Sequence, residues 1–237
     1  SAMMYPIVMA VVGIAITGML MVVVVPKITQ IFADVGKALP WNTQLLIWVS
    51  DITGEYWWLL IMLGAAGWYG FKRWKRTPKG KARYDRFVLR TWVVGPLVRM
   101  VAISRFARTL GTMLSAGVPL LRTLEIVKAI LGNQVLVKVV EKARDAIREG
   151  ESIAEPLAKS RQFPPMVTRM IAVGERAGQL EGMLETIADS YESEVDMRIT
   201  RLTALMEPLI ILLMGGIVGF IVLSILLPIL DMNEMIG

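Results

Sequence analysis

Acidic side chains are the main groups in this sequence that could do chemistry, because the chain has no Cys and no His. Without His it lacks the side chain most often used as a general base and as a metal ligand. The sequence signatures of a phosphate-binding loop, a serine nucleophile elbow and a zinc-protease helix are also missing. We therefore expect no catalytic residue, no metal site and no bound cofactor, and we predict that the protein is not an enzyme.

Two carboxylates stand out by their position. Glu175 lies in a Gly-Glu-Arg-Ala-Gly segment, where it could contact an assembly partner or form a local salt bridge with Arg176 or Arg169. Glu207 comes directly before Pro208 at the start of a long uncharged run. An ionisable group at a membrane edge can mark function, but its carboxylate could equally lie in headgroup water.

The elements that must position these side chains include apolar stretches long enough to cross a membrane. Residues 4–25 and 208–230 carry no charge, and about 20 residues are needed for a helix to cross the hydrocarbon core. The uncharged run 56–71 is shorter and has Trp and Tyr at both ends, as interfacial aromatic belts do. We predict three membrane spans, with a buried core helix as the other interpretation of 56–71.

The distribution of charge predicts the orientation of these spans. Residues 72–108 carry twelve Lys and Arg and one acid, Asp85. Basic segments beside a span stay in the cytoplasm, so the N-terminus is expected inside and the C-terminus outside. A basic run can also bind nucleic acid, but its place beside a span favours attraction to the anionic lipid of the bilayer. We predict no nucleic-acid partner.

The segment between the first two runs is expected to lie outside the membrane. A Pro-Trp-Asn-Thr sequence at 40–43 could start a short helix. Apolar side chains then follow at Leu45, Leu46, Trp48 and Val49. They predict an amphipathic turn on the membrane surface.

Residues 100–206 have the pattern of short helices with tight turns. Gly117 precedes Pro119, and Gly150 and Gly178 follow apolar-periodic stretches, as expected where helices end and begin. A Ser-x-x-Glu sequence from Ser152 resembles a capping box. Six short helices with such turns predict an antiparallel bundle.

Several motifs follow one another in this part of the chain. They are FARTL at 106–110, MLSAGVPL at 113–120, FPP at 163–165, MIAVGERAGQL at 170–180, YESEVD at 191–196, MEPLI at 206–210 and GGIVGF at 215–220. In this order they resemble the type II secretion system F family (GspF/PilC), whose members usually have two copies of the helical domain. The resemblance implies that this chain contains the second copy.

The resemblance also implies a function. It is that of a non-enzymatic, multi-pass platform protein in the bacterial inner membrane, for type II secretion or, alternatively, for a type IV pilus. The implied partners are a secretion ATPase, pilin-like subunits (pseudopilins), other inner-membrane secretion components and further copies of the chain in a homo-oligomer. Candidate family-motif or partner-contact residues are Arg108, Gly117, Pro119, Gly174, Glu175, Gly178, Glu207, Pro208, Gly215 and Gly219. The two last glycines are four residues apart, a spacing that lets helices approach closely in lipid.

A small transporter is a more remote alternative. Its path would have to be lined by polar residues of the spans, and the uncharged ones are Thr17, Tyr56, Tyr69 and Ser224. Substrate flux into liposomes would favour a transporter, whereas co-purification with an ATPase would favour the platform.

The predicted fold class is all-α, with three transmembrane helices and a cytoplasmic six-helix antiparallel bundle. The predicted segments are a first transmembrane helix at 4–25, a periplasmic segment at 26–55, a second transmembrane helix at 56–71, a basic cytoplasmic linker at 72–99, the bundle at 100–206, a third transmembrane helix at 207–230 and a periplasmic tail at 231–237. Because neither Gly nor Pro occurs between Gly182 and Pro208, we also predict one nearly continuous helix from Gln179 to Leu230.

Overall fold

A computed structural model describes residues 4–26 and 41–233 of the chain. Every secondary-structure element among the described residues is a helix, which confirms the all-α prediction for this part of the chain. The chain divides into two compact units, residues 1–69 with 200–237, and residues 70–199. The three-span and antiparallel arrangements remain predictions.

The first unit contains the apolar helices. Helix α1 is Met4–Met19 and continues as a π-helical segment, Leu20–Val24. Helix α2 is Trp41–Glu55, and helix α3, which is Trp57–Arg76, begins in this unit and ends in the second. The unit is completed by the C-terminal part of α10, which is Leu180–Asn233.

Two of the described helices are long and apolar enough to cross a membrane. One apolar window is Ile7–Val24, and the other lies within α10. Helices α2 and α3 meet the same requirement only when they are taken together, and they are bent by 73° at their junction. The predicted second span, 56–71, falls within this bent pair.

The second unit is built from shorter helices. They are α4 (Pro78–Arg90), α5 (Val94–Ser115), α6 (Leu120–Ile130), α7 (Gln134–Arg148), α8 (Ala154–Lys159) and α9 (Pro165–Ala177), followed by the start of α10. The helices α5 to α10 are the six that the sequence predicts within 100–206. Neighbours in sequence pack on one another, with α6 between α5 and α7, and α8 between α7 and α9.

Apolar side chains from all six of these helices form one core. Phe106 of α5 is fully buried and meets Phe163 edge to face, with ring centroids 5.3 Å apart. Leu124, Val140, Leu157 and Ile171 are buried in the same cluster, together with Leu184, Ile187 and Ala188 of α10. Full burial of a large apolar side chain stabilises a fold by about 1.5–3 kcal/mol. The start of α10 is therefore an integral part of the second unit.

Four helices of this unit are followed by a glycine with positive φ, and three of these glycines share one hydrogen-bond arrangement. The φ angles of Gly117, Gly150 and Gly178 are +76°, +84° and +65°. At each of them, the N–H of the glycine and the N–H of the following residue donate hydrogen bonds to carbonyl oxygens of the last helical turn. At the end of α9, for example, Gly178 N donates to Glu175 O and Gln179 N donates to Gly174 O. This is the Schellman arrangement, which favours glycine because the left-handed conformation strains other residues. The three predicted helix ends are confirmed.

The stretch 72–99, predicted to be a linker, is helical and belongs to the second unit. The hydroxyl of Thr77 accepts a hydrogen bond from Gly80 N and so caps α4. Asp85 is buried, and its carboxylate accepts from Gln134 N at 2.8 Å. A carboxylate at that position caps the first turn of α7 and meets the positive end of its dipole. The lone acid of the basic stretch therefore attaches α4 to the bundle.

Candidate functional sites

The Glu175 carboxylate lies in the last turn of α9 and reaches the start of α8. It accepts hydrogen bonds from Ser152 Oγ and from Ile153 N, the latter at 3.0 Å. A negative charge at a helix N-terminus satisfies free N–H groups and complements the dipole. The structure thus gives Glu175 a capping role, which neither sequence interpretation included.

The predicted capping box is wrong in its partners. Ser152 accepts from Ala154 N rather than from the residue three positions on, and the N-cap residue of α8 is Ile153, whose side chain makes no cap bond. Glu155 instead forms an exposed ion pair with Lys159 at 2.7 Å. Because Pro156 removes one N–H from the first turn, the carboxylate of another helix can act as the cap.

Gly174 and Gly178 both serve the turn between α9 and α10. Gly178 ends α9 in the left-handed conformation. Gly174 is buried, and a Cβ placed on it would lie 3.0 Å from Met183 Cβ and 3.1 Å from Leu180 Cα. The two helices therefore cross at a point where a larger residue has no room.

Arg108 of α5 holds two acidic side chains of α10. Its guanidinium donates to Glu192 at 3.1 and 2.7 Å and also to Asp189. These hydrogen bonds raise the pKa of Arg108 above its ordinary value, and the largest effect is that of the bonds it donates to Glu192. The same contact lowers the pKa of Glu192. A bidentate Arg–carboxylate contact has defined geometry, so Arg108 fixes how α5 and α10 meet.

Gly117 and Pro119 shape the turn between α5 and α6. The Pro119 carbonyl accepts from Arg122 N and Thr123 N, both at 3.0 Å, and so starts α6. Both residues are exposed or half-buried at this turn. Their roles in the structure are those of a helix stop and a helix start.

The remaining candidates lie in the apolar part of α10. Glu207 and Pro208 are exposed, and the helix continues through Pro208. A Cβ added to Gly215 or Gly219 would meet no atom within 4 Å. These two glycines therefore make no close helix contact among the described residues.

The close approach in the first unit occurs at another glycine, which sequence reasoning missed. A Cβ on Gly13 of α1 would collide with the end of the Met214 side chain as it now lies. No spacing rule indicated Gly13, because a single glycine in an apolar run has no pattern.

The attachment of α4 through Asp85 was also missed, although the sequence distinguishes this residue. Asp85 is the one acid among twelve basic residues in 72–108.

An open cavity of about 650 Å³ lies between α4, α7 and α8 of the second unit. Side chains of both charges line it; the basic ones are Arg86, Lys138, Lys142 and Lys159, and the acidic ones are Asp145, Glu149 and Glu151. Among the described residues no cluster of acidic side chains could hold a metal ion. The cavity can form ion pairs of both signs with a protein segment.

The fold and these sites define an all-helical protein with apolar, membrane-length helices and a separate helical core. Residues 106–228 match the family described as type II secretion system (T2SS), protein F, and the chain belongs to this family. The relatives that this chain matches are named as type II secretion and type IV pilus assembly proteins.

The similar proteins include type II secretion proteins and type IV pilus assembly proteins. The chain is 40% identical over 232 residues to the type IV pilus assembly protein PilC of Myxococcus xanthus, covering 98% of this chain and 56% of that protein. It is 39% identical over 236 residues to the type II secretion system protein F of Pseudomonas aeruginosa, covering 100% of this chain and 58% of that protein. The identity to PilC of Thermus thermophilus is 41% over 229 residues, covering 96% of this chain and 56% of that protein. The chain thus spans just over half the length of these relatives.

Proposed function

We propose that the protein is a multi-pass platform of the bacterial inner membrane in a type II secretion system. In this role it couples a cytoplasmic secretion ATPase to the assembly of pilin-like subunits, and it works as a homo-oligomer among other inner-membrane components. Family membership supports this role. So does α10, which contributes Leu184 and Ile187 to the core of the second unit and Ile221 to the buried cluster of the first.

The proposed coupling runs along α10. The helix has 54 residues, which corresponds to about 80 Å at a rise of about 1.5 Å per residue. Between Gly182 and Pro208 it has no Gly or Pro, the residues that most often bend a helix. In our proposal the ATPase moves the helical bundle, and α10 carries this movement to the membrane end where a pilin-like subunit is extracted.

The equivalent platform of a type IV pilus is the second candidate function. It is supported by relatives named as pilus assembly proteins, which are as similar to this chain as the secretion protein is. The two functions share the same mechanism and differ in the filament that is assembled.

Co-purification from native membranes tests the platform role. We expect the tagged full-length protein to retain the secretion ATPase and, after crosslinking, pilin-like subunits, whereas an unrelated multi-span protein with the same tag retains neither. Recovery of neither partner would contradict the proposal. In a deletion strain, loss of exported protein with intact surface pili would assign the protein to secretion, and the reverse would assign it to the pilus.

A further inference from the structure

Three polar side chains of helix α2, those of Asn42, Thr43 and Ser50, are buried. Thr43 Oγ1 donates to Ser224 O of α10 at 2.7 Å, and Ser50 Oγ donates to Met21 O in the π-helical segment at 2.7 Å. Both hydroxyl side chains are buried, and Leu46 between them is buried with Val25 and Ile221. One face of α2 is thus attached to the backbones of two apolar helices, as polar side chains are in membrane bundles.

The exposed surface of α2 is divided into two stripes. Trp41, Leu45 and Trp48 are 75%, 47% and 64% exposed. At about 100° per residue they fall within about 60° of one another around the helix axis. Gln44, Asp51 and Glu55 are also exposed, and on the same geometry they form a separate polar stripe beside the first. The helix therefore has three faces, one against protein, one apolar and one polar.

The two anchoring carbonyls lie at similar sequence separations from the charged residue that follows each apolar run. Met21 precedes the first charged residue after its apolar run, Lys27, by six residues, and Ser224 precedes Asp231 by seven. For Ser224, which lies with Asp231 in α10, this separation corresponds to about 10.5 Å of helix. Helices that lie in the membrane interface bury their apolar face to about 5–10 Å. The bend of 73° between α2 and α3 also turns α2 away from the direction of the helix that follows.

We propose that α2 lies in the plane of the membrane, at the surface reached by the C-terminal ends of α1 and α10. The stripe of Trp41, Leu45 and Trp48 enters the boundary between lipid headgroups and acyl chains, where Trp is favoured. The stripe of Gln44, Asp51 and Glu55 faces water. The occupant of the apolar stripe is the lipid bilayer, because the two helices that anchor α2 also expose apolar side chains, such as Val22 and Leu223.

This proposal is more specific than the sequence-based prediction, which described a periplasmic segment with an amphipathic turn on the membrane surface. The stripe proposed to enter lipid excludes Leu46, which the sequence pattern had grouped with Leu45 and Trp48, since Leu46 is buried against protein. Through Thr43, α2 holds the end of α10 at a set depth, which limits how far that end can move along the membrane normal.

Fluorescent probes of depth test the proposal directly. The chain has no Cys, so single cysteines can be introduced at Leu45 and at Asp51 and labelled with NBD in proteoliposomes of phosphatidylethanolamine and phosphatidylglycerol. We expect the probe at position 45 to show blue-shifted emission and stronger quenching by a lipid with a nitroxide at acyl carbon 5 than at carbon 16. The probe at position 51 should instead be quenched by iodide.

Two further labels serve as references in the same vesicles. A probe at Leu212, which is exposed in the apolar part of α10, is expected to respond to the deep nitroxide, and a probe at Glu151 of the second unit to iodide alone. Equal iodide quenching at positions 45 and 51 would overturn the proposal. Stronger quenching of position 45 by the deep nitroxide would show that α2 crosses the membrane, and shielding of both positions from every quencher would show a protein partner; either result also overturns it.

The anchoring hydrogen bonds provide a second, independent test. In the variant Thr43→Val/Ser50→Ala the helix loses its bonds to α10 and to Met21. We expect the probe at position 45 to lose its preference for the shallow nitroxide, because the depth of α2 is no longer set. The change Thr53→Ala in the same helix is the control, since its hydroxyl bonds only within α2. An unchanged depth in the double variant would show that these bonds do not position α2.

Discussion

The charged side chains that the sequence singles out connect helices within the second unit. Glu175 joins α9 to the start of α8, Asp85 joins α4 to the start of α7, and Arg108 joins α5 to α10. Each carboxylate meets free N–H groups or a guanidinium, so its charge is compensated locally. These residues therefore determine the geometry of the bundle, and a partner would bind the surface that this geometry creates.

Replacement of Glu175 tests its capping role. In Glu175→Ala, Ser152 Oγ and Ile153 N lose their acceptor. Loss of hydrogen bonds to a charged group costs about 1.5–3 kcal/mol, so the thermal midpoint of the protein in detergent should fall by several degrees. Glu155→Ala, which removes a carboxylate from an exposed ion pair, is the matched control and should change the midpoint little. Equal midpoints for the two variants would contradict the capping role.

The Arg108 contact predicts a dependence of stability on pH. The hydrogen bond from Arg108 lowers the pKa of Glu192 from its ordinary value of 4.5. A carboxylate with a lowered pKa contributes stability above its ordinary pKa, and the contribution is lost as the pH falls through the lowered value. The difference in unfolding midpoint between the wild type and Arg108→Gln should therefore be present at neutral pH and disappear in acid. A difference independent of pH would mean that Arg108 acts through packing of its aliphatic stem.

At the scale of elements, glycines separate the helices and permit their closest contacts. Gly117, Gly150 and Gly178 end helices, whereas Gly174 and Gly13 lie where helices cross. The first group needs an unusual backbone conformation, and the second needs the absence of a side chain. Only the first group has a reliable sequence signal.

Replacement by alanine is expected to change the stability of the protein in opposite directions at two glycines near the turn between α9 and α10. Gly174→Ala places a methyl group against Met183 and the backbone of Leu180, and overpacking of this kind typically costs about 1–3 kcal/mol. At Gly182 the added methyl meets nothing within 4 Å, so Gly182→Ala should leave the stability unchanged or raise it by up to about 1 kcal/mol through helix propensity. Chemical denaturation of both variants in detergent measures the difference, and a similar effect at the two sites would argue against the close crossing.

The helices of the bundle could be predicted because their ends carry local signals. Glycine after the last turn identified the ends of α5, α7 and α9, and proline identified the starts of α6 and α9, each within one or two residues. The linker at 72–99 could not be recognised as a helix of the bundle, since its attachment through Asp85 depends on a partner 49 positions away. The inner face of α2 was also missed. Apart from Leu46 its buried residues are polar, and sequence reasoning assigns polar residues to water unless a membrane partner is known.

At the scale of the whole molecule, the charge asymmetry predicts which parts of the chain are accessible from outside the cell. Single cysteines at Lys37 and Asn233 should react with an impermeant maleimide on intact cells with a permeable outer membrane. A cysteine at Glu151 should react only after the inner membrane is opened. Glu151 is a better reporter than its neighbour Gly150, whose positive φ disfavours other residues. Labelling of Glu151→Cys from outside would reverse the proposed orientation.

The length and continuity of α10 are the basis of the proposed coupling. One helix from Leu180 to Asn233 agrees with the continuous helix that the sequence predicts between Gln179 and Leu230. It connects residues buried in the core of the second unit with residues buried in the first. A flexible joint in its exposed middle should leave both sets of contacts intact and remove only the rigid connection.

The most direct test of the platform account is therefore a Gly-Gly-Ser insertion between Met197 and Arg198 in the full-length gene. The control is a four-residue helical insertion at the same place, which rotates the two halves by only about 40° and disturbs the same Glu194–Arg198 ion pair. The account predicts that both variants enter the membrane and bind the ATPase. It also predicts that the flexible variant loses protein export or pilus assembly, whereas the helical variant keeps most of it. Normal export or assembly by the flexible variant would contradict the claim that α10 transmits movement to the membrane.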